Sequence, residues 1–262
     1  MRKQFCSIIA AVLLIGACGA APGYAATTNG AVTPPVHNLT PNSPTVQPIT
    51  RGDPTRPLIA LTFDACQALY QTPGYDAKLI NELINTHTPA TLFLGGIWMQ
   101  SHPAQTKALA ANPLFELGEH SWDHADFDKL SAALITTEIN ETQALMFHLT
   151  GRTATLFRFP YGRYTPQAVK LIAQTGLTSV QWDVVSGDPD PHVTAQRMIA
   201  AVTHRTRDGS IIIMHMNGRG WHTAEALPQI ITTLRAQGFQ FVTVSQLLGR
   251  APIGTSTPVR SK

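Results

Sequence analysis

Leu58-Ile59-Ala60-Leu61-Thr62-Phe63-Asp64 is the stretch on which the fold turns: an apolar run that ends on a carboxylate. The same arrangement recurs down the chain. Phe115-Glu116-Leu117-Gly118 leads to His120-Ser121-Trp122-Asp123-His124, and Thr155-Leu156-Phe157 leads to Arg158-Phe159-Pro160-Tyr161-Gly162. Ile211-Ile212-Ile213-Met214 ends on His215. Short apolar runs, each followed by reactive side chains, read as strands that deliver their ends to one shared site. One position breaks the pattern. The residue after Asp64 is Ala65, which has no donor atom.

Outward from that run, strand-like stretches fall at 58–63, 90–95, 115–118, 155–159, 178–184, 210–214 and 239–244. Helical patterns lie between them at 75–86, 102–111, 131–149, 165–175, 194–205 and 223–237. Thr165-Pro166 supplies an N-cap followed by proline at the first helical position. Gly151, Gly176 and Gly238 stand just past helix ends, where a left-handed residue closes the last turn. Apolar strands alternating with helices predict an α/β protein with a parallel sheet covered by helices. Seven strands with chemistry at their C-terminal ends favour a barrel over an open, doubly wound sheet.

The chain has 262 residues, 44% of them hydrophobic and 13% charged, which suits a large folded domain. Arg2-Lys3 and the apolar run Ile8 to Ala17 read as an export leader, too short to span a bilayer. Gly23-Tyr24-Ala25 allows cleavage before Ala26, whereas Ile15-Gly16-Ala17-Cys18 resembles a lipobox. Membrane attachment is expected only if Cys18 is lipidated; otherwise the product is periplasmic or secreted. Without Arg2 and Lys3, 17 basic residues face 16 acidic ones, with no basic cluster, so nucleic acid is not an expected partner. Cys66 is then left alone after ordinary cleavage, without a disulfide framework. The expected organisation is a leader over 1–25, a Pro/Thr-rich linker over 26–55, one domain over 56–250 and a tail over 251–262.

The polar clusters suit metal-assisted hydrolysis. His120 and His124, four apart, can turn both imidazoles to one ion, although such pairs also arise by chance on surface helices. Asp64 reads as a general base for an attacking water, against the simpler role of a loop-capping aspartate. Arg158 can hold that carboxylate ionised, and the turn Pro160-Tyr161-Gly162 can aim the Tyr161 amide at a developing oxyanion. A plain turn with an exposed arginine is the competing reading. His215 would be a core histidine if isolated; as a general acid it needs a carboxylate to tune it, with Asp183 and Asp188 as candidates. Trp122, Trp182 and Trp221 are candidate sugar-stacking walls, with core packing the alternative for each.

In this order, Thr62-Phe63-Asp64, His120-Ser121-Trp122-Asp123-His124, Arg158-Phe159-Pro160-Tyr161, Trp182 through Asp188 and Met214-His215 resemble the five motifs of the polysaccharide deacetylases, the carbohydrate esterases with a NodB-homology domain. The resemblance runs from about Leu58 to about Leu248. It implies a distorted (β/α) barrel, often seven-stranded, and metal-dependent removal of acetyl groups from sugars. By that resemblance Asp64 is the base, His120 and His124 bind one divalent ion, with zinc the expected metal, and His215 is the acid. Arg158 would orient Asp64, the Tyr161 amide would bind the oxyanion, and Asp188 would tune His215. The expected partner is an N-acetylated polysaccharide, and the expected reaction is hydrolysis of its acetamide C–N bonds.

The family usually carries a second aspartate, a metal ligand, where this chain has Ala65. Three accounts follow. Cys66 replaces it as a thiolate; or Asp64 itself binds the ion and leaves the base role to water or another acid such as Asp123; or the site is metal-poor and the protein binds glycans without turnover. Hydrolysis of other C–N bonds is a further alternative on the same chemistry.

Overall fold

Why the strand at Asp64 is buried on both sides is visible in its neighbours. In the computed structural model, which describes residues 47–67 and 74–250, β1 (Leu58–Ala65) lies mid-sheet. The chain divides into two units, Met1–Pro35 and Val36–Lys262, and all described residues belong to the second. Both readings of the leader, at Ala26 and at Cys18, and the tail over 251–262 lie outside the described residues.

The remaining strands are β2 (Ala90–Leu94), β3 (Phe115–Glu119), β4 (Leu156–Phe157), β5 (Thr178–Ser179), β6 (Val184–Val185), β7 (Ile211–His215) and β8 (Gln240–Phe241). Seven pair in parallel in the order β5-β4-β3-β2-β1-β7-β6, and β8 pairs with the start of β1. The order ends on β5 and β6, which the chain joins directly through Val180–Asp183, so the sheet curls into a barrel left open between them. This is the distorted, seven-stranded (β/α) barrel expected.

Helices α1 (Ala77–Asn85), α2 (Gly96–Ser101), α3 (Pro103–Ala111), α4 (Ala132–Thr150), α5 (Pro166–Gln174), α6 (Ala195–Arg205) and α7 (Thr223–Ala236) follow the strands, and α8 (Val244–Leu247) ends the described chain. Thr165 accepts from the Ala168 amide to cap α5, with Pro166 next. Gly151 closes α4 with φ 69°, its amide on the Phe147 carbonyl.

Two-residue alternation sorts β1 into two cores. Ile59, Leu61, Phe63 and Ala65 pack on the helix side with Leu79, Leu83 and Ile230, among others. Leu58 and Ala60 face the barrel interior with Phe93, Val180, Ile211 and Val244. Short α8 plugs the interior there: its Val244 amide donates to Thr91 Oγ1 at 2.9 Å and its Ser245 amide to Glu116 Oε2 at 3.1 Å.

The structure departs from the sequence expectations at four places. The single strand expected over 178–184 is two short strands. The reason is chemical: the Val180 and Gln181 carbonyls accept from the Arg158 guanidinium at 3.4 and 3.2 Å. The strand expected over 239–244 ends at Phe241, because the Thr243 capping box starts α8. Helix α2 was not foreseen. Its six residues begin at Gly96, where the Trp122 ring leaves no room for a Cβ. The expected linker also reaches into the fold: Ile49 is buried, and its amide donates to the Ser179 carbonyl at 2.9 Å. No helix among the described residues is long and apolar enough to cross a membrane.

Candidate active site

Register brings the separated motifs together. Asp64 and His215 are direct partners across β1 and β7, and Glu119 and Phe157 across β3 and β4, which sets His120 beside Arg158. Asp64, His120, His124, Tyr161, Trp182, Asp188 and His215 line one cleft of about 390 Å³ at the C-terminal ends of the strands. Arg158 is fully buried beneath it. Trp221 is 60% exposed and does not line that cleft, nor does Trp122, so of the three tryptophans expected as sugar walls only Trp182 faces it.

Arg158 organises the floor. It donates from one terminal nitrogen to Asp64 Oδ1 at 2.7 Å and to Thr62 Oγ1 at 2.8 Å, and its guanidinium lies 4.0 Å from the Phe93 ring centre. Gly118 permits this stack, since a Cβ there would meet Phe93 at 2.5 Å. Burial alone would push Asp64 up, but the charge of Arg158, helped by His120 and His215, holds it below the usual aspartate value. Its other oxygen, Oδ2, stands 3.5 Å from His120 Nε2.

The histidine loop is held by its own amides. The Ser121 amide donates to Glu119 Oε1 at 2.7 Å, the Trp122 and Asp123 amides to Glu138 Oε2 at 2.8 and 3.3 Å, and the His124 amide to Ser121 Oγ at 3.1 Å. Ser121 and His124 sit at φ 65° and 63°, and Tyr161 at 56°, so three of the four left-handed non-glycine residues described surround the cleft. Burial pushes the Glu119 carboxyl well above the usual range.

His215 Nδ1 is 2.9 Å from Asp188 Oδ1, while its amide donates to Asp188 Oδ2 at 2.5 Å. Ser186 and Thr223 hydroxyls donate to the same carboxylate. Burial would lower the His215 pKa, but the hydrogen bond and charge of Asp188 reverse this and raise it. Asp183, the other candidate, is engaged elsewhere: it accepts from the Ile211 amide at the start of β7 and from Ser210. The Tyr161 amide has no acceptor among the described residues, and the Tyr161 ring lies edge-on to His124 with centres 4.4 Å apart.

The position after Asp64 is resolved by alternation. Ala65 points to the helix side, and Cys66 continues the inward face. Among the described residues, one group of three histidine, cysteine or carboxylate donors has its ligand atoms within 4.8 Å of one another: Cys66, His120 and His124. The chemistry of this set fits a divalent ion. His120 Nδ1 lies 2.8 Å from the Arg158 carbonyl, which fixes the tautomer and frees Nε2. Burial, then the neighbouring His120, pushes His124 down to about 3, and burial lowers His120 as well, so both rings are neutral donors. The Asn217 amide nitrogen donates to Cys66 Sγ at 3.3 Å and to the Cys66 carbonyl. Without an ion, burial and then the charge of Asp64 push the Cys66 thiol up to about 11, so ligation requires loss of its proton as an ion binds.

Sequence reasoning missed Asn217, Arg219, Glu119 and Glu138. Asn217 had a usable signal, since it lies two residues beyond His215 on the same strand parity. Glu138 had none: it reaches the loop from α4.

The sequence pattern of the polysaccharide deacetylases matches residues 51–180. A peptidoglycan-N-acetylglucosamine deacetylase of Listeria monocytogenes is 32% identical over 198 residues, 74% of this chain, and the chain spans 40% of that relative's length. A deacetylase solved with substrate, T48, is 31% identical with a TM-score of 0.65, covering 75% of this chain and 94% of its own. The chain belongs to the polysaccharide deacetylase family. A family 4 carbohydrate esterase pseudoenzyme of Bacillus anthracis is also similar, at 25% identity and a TM-score of 0.70 over 78% of this chain and 69% of its own. Membership therefore fixes the scaffold and the reaction class of the family, while the state of this chain's own site must be argued from its residues.

Proposed function

We propose that this protein is an exported, metal-dependent deacetylase that hydrolyses the acetamide groups of an N-acetylated amino-sugar polymer of the cell envelope. The observation that carries it is the convergence of Asp64, His215 and the Cys66–His120–His124 donor set in one cleft. Support for the polymer comes from the Listeria relative, named for peptidoglycan. Support for export comes from the leader-like first 25 residues.

Cys66, His120 and His124 would hold the ion, and two imidazoles with a thiolate suit zinc. When bound, the ion acts as a Lewis acid that polarises the acetyl carbonyl and acidifies water. Asp64, kept ionised by Arg158, takes a proton from the attacking water as its oxygen bonds to the carbonyl carbon. The free Tyr161 amide donates to the carbonyl oxygen as negative charge collects there. His215, held by Asp188 through Nδ1, gives its proton to the nitrogen as the C–N bond breaks. Acetate and a free amine result, and the proton on Asp64 returns His215 to its starting state through solvent.

Acetate release from N-acetylated oligosaccharides tests the reading. The double variant His120→Ala/His124→Ala is expected to lose at least about a hundredfold in rate; undiminished release would remove the ion from the reaction. Metal analysis tests the third ligand. The parent protein should hold one ion per chain after dialysis, and Cys66→Ser should fall well below that. Unchanged metal content in Cys66→Ser would return the third position to Asp64.

Ala65 and the similar pseudoenzyme favour one second reading, a glycan-binding protein without turnover. It requires glycan binding with no acetate release and no stoichiometric metal.

A further inference from the structure

Charged groups around the cleft are neutralised, with one exception. Asp64 is paired with Arg158, Asp188 with His215, and Arg163 with Asp126 at 2.9 Å. Arg219 lines the same cleft, is exposed, and has no ion pair among the described residues. It is near enough for its charge to act on Cys66, His124 and His215.

The segment that presents Arg219 is tied down at both ends. Its own amide donates to Asn217 Oδ1 at 3.3 Å, and the Asn217 side chain is held by Cys66. Beyond it, the Trp221 amide donates to the Asp188 carbonyl at 3.2 Å, and the Thr223 hydroxyl to Asp188 Oδ2 at 2.9 Å. Gly220 between them passes so close to the His215 carbonyl and the Thr223 hydroxyl that any Cβ would collide. A cation is thus anchored to the residues that would perform the chemistry, with its guanidinium unspent. Arginine is the side chain best shaped to take a carboxylate through two parallel hydrogen bonds.

We propose that Arg219 is a specificity residue that recognises a carboxylate carried by the substrate sugar, so that the preferred substrate is an acidic N-acetylamino sugar such as one bearing a lactyl ether. This deepens the deacetylase reading and rests on it for the acetamide. Peptidoglycan strands alternate a neutral N-acetylamino sugar with one that carries such an ether, so the same polymer offers both choices.

The experiment compares peptide-free peptidoglycan strands with the same strands after reduction of their carboxyl groups to alcohols. Binding to the full chain is read from tryptophan fluorescence, since Trp182 faces the cleft. The parent should bind the carboxylate form about tenfold tighter, the scale of one charge-assisted hydrogen-bond pair. That preference should shrink with added salt. Arg219→Gln should abolish it, and Arg219→Lys, which keeps the charge without the fork, should retain part. Equal binding of both forms by the parent, or an undiminished preference in Arg219→Gln, overturns the proposal. Acetate release from the same strands is measured separately. A carboxylate preference without acetate from either form would leave Arg219 in place and overturn the hydrolase reading instead.

Discussion

Arg158→Met should cost about 3–5 kcal/mol of folding stability at neutral pH, the range found when one partner of a buried ion pair is removed. Arg158 is completely buried, and its guanidinium serves Asp64, Thr62 and the Val180 and Gln181 carbonyls together. Methionine fills the volume but satisfies none of them, and lysine cannot span all four. Urea unfolding of chelator-treated protein reads the loss. The pH dependence has a definite sign. In the parent, Asp64 lies below its ordinary value, so its contribution is present above that value and lost as pH falls through the depressed one. In the variant, burial is opposed only by His120 and His215 and drives the Asp64 pKa up, making the ionised group a liability at neutral pH. The gap between the two proteins should therefore be widest at neutral pH and narrow in acid. A loss below about 1 kcal/mol would mean that the pair behaves like a solvated surface bridge.

Asp188→Asn should lower kcat by about a hundredfold to ten-thousandfold, the usual worth of a positioned general acid. The carboxamide can still meet the His215 ring, but its nitrogen can face Nδ1 as a donor and select the wrong tautomer. It also removes the charge that raises the His215 pKa against burial. A general acid must be protonated, so activity falls as pH rises through its pKa. With that pKa lowered, the alkaline limb of the kcat profile should move toward acid. A variant with reduced kcat and an unmoved alkaline limb would assign that limb to another group.

The chemistry was legible because each reactive residue is written directly after its strand. Asp64, His120, His124, Arg158 and His215 could be gathered before any coordinates, since strands of a parallel barrel end on one face. Cys66 was legible as one of two candidate ligands, beside Asp64. Counting alternate residues from Asp64 shows it to be the next inward side chain, and the geometry then groups it with both histidines. What the sequence did not show depends on contacts across long separations. The expected strand over 178–184 is split because Arg158, more than twenty residues earlier, takes two of its carbonyls. Glu138 clasps the Trp122 and Asp123 amides from a helix whose own periodicity gives no hint of it. Arg219 stands apart only through the pairing of the other charges around the cleft.

The opening between β5 and β6 exposes this protein to a hazard that closed barrels avoid. An uncovered strand edge offers free amides and carbonyls to any neighbouring chain and invites sheet-to-sheet association. Ile49 takes up that role within the molecule: its amide meets the Ser179 carbonyl, and its own carbonyl receives the Gln181 amide at 2.7 Å. Arg51 continues the cover with an antiparallel bridge to Ser210 and side-chain hydrogen bonds to the Asp208 carbonyl. A segment whose composition reads as a mere spacer thereby works as a guard against aggregation, and trimming the chain back to β1 would remove the guard along with the spacer.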